Sequence, residues 1–295
     1  MLTTISAFHP LVKEDGERLA PLLTKSGYDG CEFSFTTLYM WRELYDTRIA
    51  TEGDYLLISA GNGKELSFLP PIGPSFEEGL LLLRRATESL GQPLRLHGVD
   101  ERTLQKLQQI AHVTATELAE DHDYLYKTSD LAELPGKPYH SKRNHIAAFS
   151  RQWDWCYEDI TDDNVAAVLA MSKQWCKERG SCRDKGLQAE RCGIREVLSN
   201  RRDFHVRGGL IRVQGEVVAF TFGSPINENV FDIHVEKALG AYGGAYTVIN
   251  REFARRLTEF DYLNRENDMG IEGLRRAKQS YRPAALLKKY SCEVT

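Results

Sequence analysis

The spacing of apolar residues predicts the same succession of elements in each half of the chain. Each half begins with amphipathic helices, continues with an antiparallel meander, and ends with alternating strands and helices. In the first half, the predicted helices cover residues 12–24, 36–45, 76–90 and 101–110, and the predicted strands cover residues 47–51, 55–60, 65–68, 94–97, 112–117 and 124–127. This repeated order predicts an α+β fold built from two similar halves.

Residues 128–138 are rich in Ser, Asp, Pro and Gly and are predicted to link the two halves. We therefore expect an N-terminal domain over residues 1–135 and a C-terminal domain over residues 136–295. In the second half, one helix is predicted to begin near Asp162, others cover residues 139–152, 191–198 and 246–258, and strands cover residues 210–213, 217–222, 231–237 and 262–264.

Residues 231–281 carry the most informative functional pattern. A predicted strand leads into a turn that contains Gly240, Gly243 and Gly244, and a helix follows. Such a turn exposes backbone N–H groups at the positive end of the helix, which suits a phosphate or pyrophosphate. We predict that the N–H groups of Gly243, Gly244 and Ala245 bind a donor phosphate. The structural alternative is a helix-entry turn that packs against the sheet.

Polar residues near this turn are candidates for proton transfer and substrate binding. Glu266 follows a predicted buried strand and is the first candidate for a general base, ahead of Asp268. Asp232, His234 and Glu236 alternate along one strand and share a face, so Glu236 is a further candidate base. The predicted substrate-binding residues are His234, Asn264, Asp268 and Arg275. Ion pairs within a turn and a solvated strand face are the structural alternatives.

Basic residues in two segments are candidates for holding an anionic donor. Lys142 and Arg143 lie in the helix between the halves and are predicted to bind an anionic group. Arg275, Lys278 and Arg282 fall at positions i, i+3 and i+7, on one face of a helix. An ammonium group aimed at a tetrahedral oxyanion would stabilise it, which makes Lys278 a predicted catalytic residue. Solvated helix faces are the alternative explanation for both segments.

Several stretches resemble the phosphatidylglycerol lysyltransferase C-terminal domain family. They are FSFTTLYMWRELY (33–45), KPYHSKRNHIAAF (137–149), HVEKALGAYGGAYTVINREFA (234–254) and YLNRENDMGIEGLRRAKQSYRP (262–283). The resemblance implies two GNAT-like acyltransferase halves in tandem. Membrane-bound members of the family move an amino acid from aminoacyl-tRNA onto a lipid headgroup. A similar glycine-to-lysine segment in the peptidoglycan aminoacyl-ligases implies that Lys278 lies near the tRNA end and the developing oxyanion.

Composition narrows the functional class. With 295 residues, 42% of them apolar and 27% charged, the chain has the composition of a soluble globular protein. Its net charge of −4 excludes a uniformly basic nucleic-acid-binding surface, although residues 251–295 carry ten basic and seven acidic residues. The apolar runs are too short for a transmembrane segment and the first ten residues lack a signal peptide, which predicts a cytoplasmic protein. The six cysteines form no CxxC pair, so we predict no metal site.

Three functions remain open at this point. The resemblance and the basic segments favour an aminoacyltransferase that takes an amino acid from aminoacyl-tRNA and passes it to an amine or hydroxyl on a small molecule or a lipid headgroup. An acyl-CoA-dependent N-acyltransferase is an alternative, although Ala241 and Tyr242 depart from the donor turn of acetyl-CoA enzymes. A catalytically silent binding or regulatory protein on the same fold is the third. We predict no tightly bound cofactor.

Overall fold

The computed structural model describes residues 8–88, 91–179 and 184–295. Cys182 and the predicted end of the third helix, residues 89–90, lie outside these ranges. The helices are α1 (Gly16–Thr24), α2 (Phe35–Tyr45), α3 (Phe76–Glu88), α4 (Glu101–Ile110), α5 (Thr128–Glu133), α6 (His140–Gln152), α7 (Val165–Glu178), α8 (Lys185–Ser199), α9 (Ala245–Ala254) and α10 (Glu272–Gln279). The strands are β1 (His9–Pro10), β2 (Arg48–Glu52), β3 (Tyr55–Ala60), β4 (Ser67–Phe68), β5 (Leu94–Val99), β6 (Val113–Glu117), β7 (Asp123–Lys127), β8 (Trp155–Asp159), β9 (Arg207–Val213), β10 (Glu216–Pro225), β11 (Val230–Ala238), β12 (Tyr262–Asn264), β13 (Ala285–Leu287) and β14 (Tyr290–Val294).

Within the described ranges, the strands form two seven-stranded sheets with the same internal pattern. The first sheet has the order β1-β2-β3-β4-β5-β14-β6, and the second has the order β8-β9-β10-β11-β12-β7-β13. Each sheet has one parallel pair, β4 with β5 and β11 with β12, and its other neighbours are antiparallel. The α+β class and the tandem GNAT-like duplication are confirmed.

The two halves exchange one strand each. β7 follows the first half in sequence but lies between β12 and β13 of the second sheet. β14, near the C-terminus, lies between β5 and β6 of the first sheet. Each sheet is therefore completed by a strand from the other half. The backbone N–H and C=O groups of the inserted strand pair with those of the strands on both sides. The boundary after residue 135 stays a prediction, and the strand exchange crosses it twice.

The segment predicted as a linker is partly helical. α5 occupies its first six residues. Leu134, which follows the helix as its C-cap, has a left-handed conformation with φ of 52°. The guanidinium group of Arg143 donates hydrogen bonds to the carbonyl oxygens of Leu134 and Gly136, the latter at 2.7 Å. The structure thus places a helix within the predicted linker, and Leu131 of this helix packs in the core beside the second sheet.

Local sequence explains the long hairpin that leads to the functional region. β9 and β10 are joined at Gln214 and Gly215, whose φ angles are 50° and 87°. Two positive φ angles give the tight turn that matches the twist of paired strands. β10 then pairs with β11 through a register shift between Phe222 and Gly223.

Aromatic packing joins the halves around α2. Phe35 and Tyr39 of α2 lie 5.7 and 4.8 Å, between ring centroids, from Phe204 of the second half. Ser34 caps the helix by accepting a hydrogen bond from the N–H of Thr37 at 3.4 Å. Ser34 Oγ also lies 3.2 Å from Ser224 Oγ of β10, and Thr37 Oγ1 donates to Asp232 of β11 at 3.1 Å, so the N-terminal turn of α2 is fixed against both strands. Across the described part of the chain, no helix combines the length and apolar character needed to cross a membrane.

Candidate functional site

A buried polar cluster lies where the first turn of α2 meets the second sheet. We call it the junction cluster and define it as Thr37, Ser224, Asp232, His234 and Glu266. His234 Nδ1 lies 3.1 Å from Thr37 Oγ1, 3.2 Å from Asp232 Oδ2 and 3.7 Å from Glu266 Oε1. Its Nε2 lies 2.8 Å from Ser224 Oγ. Both ring nitrogens of the predicted substrate residue therefore have protein partners.

The electrostatics of this cluster favour a charged imidazole. Burial opposes the charge of His234, but the carboxylates of Asp232 and Glu266 outweigh burial and raise its pKa to about 9. The opposite holds for Glu266, since burial and the nearby Asp232 raise its pKa to about 7 against the influence of His234. Glu266 is thus a carboxyl group that gains and loses its proton near neutral pH, as a general base requires.

The loop after β12 holds Glu266 in an uncommon backbone conformation. Its φ is 54°, and its N–H donates a 2.7 Å hydrogen bond to Oδ1 of Asn264. Asn264 is buried and donates its amide N–H groups to the carbonyl oxygen of Asp29 and, at 2.9 Å, to Asp123. In this structure Asn264, a predicted substrate residue, fixes the loop that presents Glu266.

Lys278 of α10 reaches the same loop. Its ammonium group donates to the carbonyl oxygens of Arg265 and, at 3.2 Å, Glu266. Burial and the charge of Arg265 lower the pKa of Lys278 to about 8. An ammonium has three N–H donors, and among the described residues two acceptors are found for them. One donor therefore remains for a bound group.

Lys278 belongs to a basic cluster, which we define as Lys142, Glu236, Arg265, Lys278 and Tyr281. Lys142 Nζ lies 3.7 Å from the centroid of the Tyr281 ring, and the Arg265 guanidinium lies 4.8 Å from it. Arg265 Nη2 donates to Glu236 at 3.0 Å, whereas Nη1 is buried with no hydrogen-bond partner among the described residues. Burial and Arg265 lower the pKa of Lys142 to about 8. A buried unpaired donor beside two lysines suits an anionic ligand.

The glycine turn lies at the start of α9, against α6. Gly244 has a φ of 96°, and a Cβ atom there would lie 3.0 Å from the carbonyl oxygen of His145. Gly243 is exposed, and a Cβ atom there would meet no atom within 4 Å. The N–H of Ala245 already donates to the carbonyl oxygen of Tyr242 at 3.0 Å. Of the three predicted phosphate-binding N–H groups, that of Ala245 is therefore used inside the turn.

Three other predicted residues have protein partners. Asp268 accepts two hydrogen bonds from Arg275, at 2.9 and 3.1 Å, and one from the Tyr124 hydroxyl at 2.7 Å. These bonds lower the pKa of Asp268 to about 2, so it is a weaker base than Glu266. Arg143 holds the end of α5 and lies outside the basic cluster.

The sequence patterns did not predict a second buried cluster, which consists of Lys289, Glu32, Asp123 and Cys31. The Lys289 ammonium donates to Glu32 at 2.5 Å and to Asp123 at 2.8 Å, and lies 3.4 Å from Cys31 Sγ. Burial opposes the charge of Lys289, but Asp123 raises its pKa well above the ordinary value. These residues come from distant parts of the chain, and no local pattern marks them.

Two groups in the described chain have the spacing of metal ligands, namely Cys31, Glu32 and Asp123, and Asp232, His234 and Glu266. In the first group, the Lys289 ammonium already donates hydrogen bonds to all three residues and would repel a cation. In the second, Nδ1 of His234 already has hydrogen-bond partners. The prediction of no metal site stays a prediction.

A family model described as phosphatidylglycerol lysyltransferase, C-terminal, matches residues 24–293. The chain belongs to this family. The resemblance stated from the sequence is confirmed.

Two solved structures and one further protein are similar to this chain. A solved structure of a conserved protein of unknown function from Bacteroides thetaiotaomicron is 36% identical, with a TM-score of 0.92 over 98% of this chain and 99% of that one. L-PGS from Bacillus licheniformis shares the fold, with a TM-score of 0.68, 17% identity, and coverage of 94% and 91%. An uncharacterized protein from Mycoplasmoides gallisepticum is 24% identical over 188 residues, which are 63% of this chain and 58% of that protein.

Proposed function

We propose that this family member is an aminoacyltransferase whose reaction takes place between Glu266 and Lys278 in the second half. The observation that carries the proposal is the pairing of a carboxyl group with a pKa of about 7 and a lysine that holds the backbone of the same loop. Buried groups whose pKa values are strongly perturbed are candidates for proton transfer. Membership of a family named for a lysyltransferase supports the transferase class.

The chemistry follows from the position of each group. The acceptor amine or hydroxyl attacks the carbonyl carbon of the aminoacyl ester, and Glu266 takes the proton that the nucleophile loses. The remaining N–H donor of Lys278 stabilises the tetrahedral oxyanion. When the ester C–O bond breaks, Glu266 returns the proton to the leaving hydroxyl of the donor. Glu236 keeps Arg265 in place, so it acts on the reaction through that guanidinium.

Aminoacyl-tRNA is the donor that we propose first. Lys142 Nζ donates a 2.6 Å hydrogen bond to Ser280 Oγ, so the two basic segments identified in the sequence adjoin in space. Together they offer a local positive surface on an acidic protein. Such a surface suits the phosphates at the end of a tRNA. The acceptor that we propose is an amine or hydroxyl on a small molecule or a lipid headgroup.

An acyl-CoA donor is the second candidate, and the open space at Gly243 favours it. Because a Cβ atom at Gly243 would meet no atom within 4 Å, a pyrophosphate can come close to the backbone at the start of α9. A salt series separates the two donors. Binding of charged tRNA should fall steeply with salt, with a slope of about −0.7 per phosphate contact, whereas binding of acetyl-CoA should change little.

Matched lysine variants locate the donor site in the same experiment. Lys142→Gln should weaken tRNA binding, while Lys173→Gln, which removes an exposed lysine from α7, should leave it unchanged. Binding of acetyl-CoA without tRNA binding would reject the first donor in favour of the second. Binding of neither would favour a silent member of the fold and overturn the transferase proposal.

A further inference from the structure

The first half contains a cavity of about 560 Å³ that the proposed reaction does not use. Its volume lies in the range of small-molecule sites. One wall is formed by the end of α1 and the residues after it, another by the loop between β4 and α3, and the third by the first turns of α4. Apolar side chains of Leu22, Ile72 and Phe76 lie beside polar ones.

The charged residues that line this cavity are mainly basic. They are Lys25, Arg102 and Lys106, against the single carboxylate of Asp54. Within the described ranges, neither Lys25 nor Lys106 has an ion-pair partner. Arg102 donates to the carbonyl oxygen of Gly27 at 2.6 Å, which fixes its guanidinium at the cavity wall. Asp100 lies 4.0 Å from Arg102 and offsets only part of this charge.

The cavity is lined by elements of the first repeat that correspond, in the order of strands and helices, to those around the glycine turn and α10 in the second. In both sheets, a loop and a helix connect the two parallel strands, β4 to β5 through α3 and β11 to β12 through α9. A further helix follows the second parallel strand in each half, α4 after β5 and α10 after β12. Lys106 of α4 and Lys278 of α10 are therefore lysines on equivalent helices.

We propose that this cavity is a second ligand site, which binds a small molecule that carries a phosphate or pyrophosphate group and an apolar portion. Two unpaired ammonium groups and a fixed guanidinium provide charged donors for the phosphate oxygens. Leu22, Ile72 and Phe76 offer apolar contact to the rest of the molecule. This proposal concerns the first half and does not depend on the reaction proposed for the second half.

The test uses the full-length chain with inorganic pyrophosphate and ADP as probes in calorimetric titrations at low salt. The double variant Lys25→Gln/Lys106→Gln should weaken pyrophosphate binding about tenfold for each lost charge-assisted hydrogen bond. Its matched control is Lys64→Gln/Lys173→Gln, which removes the same charge from exposed lysines elsewhere and should leave the affinity unchanged. ADP should bind more tightly than pyrophosphate if the apolar wall contributes.

A third variant separates this site from the basic cluster. Lys142→Gln should leave pyrophosphate binding to the first half intact. If Lys142→Gln abolishes binding, or if Lys25→Gln/Lys106→Gln has no effect, the site is in the second half or absent and the proposal is wrong. Equal losses in the double variant and in its control would show non-specific attraction and also overturn it. Circular dichroism of each variant confirms that it is folded.

Discussion

The Lys289 ammonium donates a 2.8 Å hydrogen bond to the Asp123 carboxylate, and this ion pair links the starting points of the two exchanged strands. Asp123 is the first residue of β7, and Lys289 immediately precedes β14. The side chains of Lys289 and Asp123 are buried, with exposed fractions of 2% and 0%. This buried ion pair therefore joins the two halves where their strands are exchanged.

Breaking this pair should strongly destabilise the protein. Lys289→Met leaves the Asp123 carboxylate buried without its cation, which typically costs about 3–5 kcal/mol. Urea unfolding followed by fluorescence measures the loss. Arg276→Ala is the control, because its partner Glu272 is exposed and such pairs contribute little. Equal midpoints for Lys289→Met and the parent protein would contradict the prediction.

The bulge between β10 and β11 should require a glycine. A Cβ atom at Gly223 would overlap the carbonyl oxygen of Asp232, beside the junction cluster. We expect Gly223→Ala to lower the free energy of unfolding by about 3 kcal/mol or more, because the backbone must move. Gly273→Ala in α10 meets no atom within 4 Å and should stabilise the helix by about 0.5–1 kcal/mol. Thermal unfolding of the two variants should shift in opposite directions.

Transfer activity should have a narrow pH optimum. Glu266 must lose its proton to act as a base, so the rate should rise through its pKa of about 7. Lys278 must keep its proton to stabilise the oxyanion, so the rate should fall through its pKa of about 8. Glu266→Gln should lower the single-turnover rate about 100-fold or more. Lys278→Arg should extend activity to higher pH, and an unchanged alkaline limb in this variant would exclude Lys278 as its source.

The glycine turn can be tested without disturbing the fold. Gly243→Val adds a branched side chain where the structure has open space, so stability should change little. If the turn binds a donor phosphate, the same side chain blocks close approach and the donor Kd should rise at least tenfold. Gly243→Ala should have a smaller effect. A folded Gly243→Val variant with an unchanged Kd would remove the turn from the donor site.

The sequence by itself determined most of the secondary structure and the duplication. Helix α4 and strand β12 have the predicted bounds, and the hairpin at Gln214–Gly215 forms as its turn residues require. These elements depend on periodicity and turn chemistry within a few residues, which the sequence contains directly. The polar loop after β12 was also visible, because polar residues follow a short apolar strand.

Only the tertiary structure decided which strand completes which sheet and which charges meet. β7 and β14 are short, and their place depends on unpaired strand edges more than a hundred residues away in sequence. The same long-range contacts bury Lys289 beside Asp123, set the pKa of Glu266 near 7, and place Lys142 next to Ser280. Burial and charge proximity are properties of the packed molecule, so no local pattern predicts them.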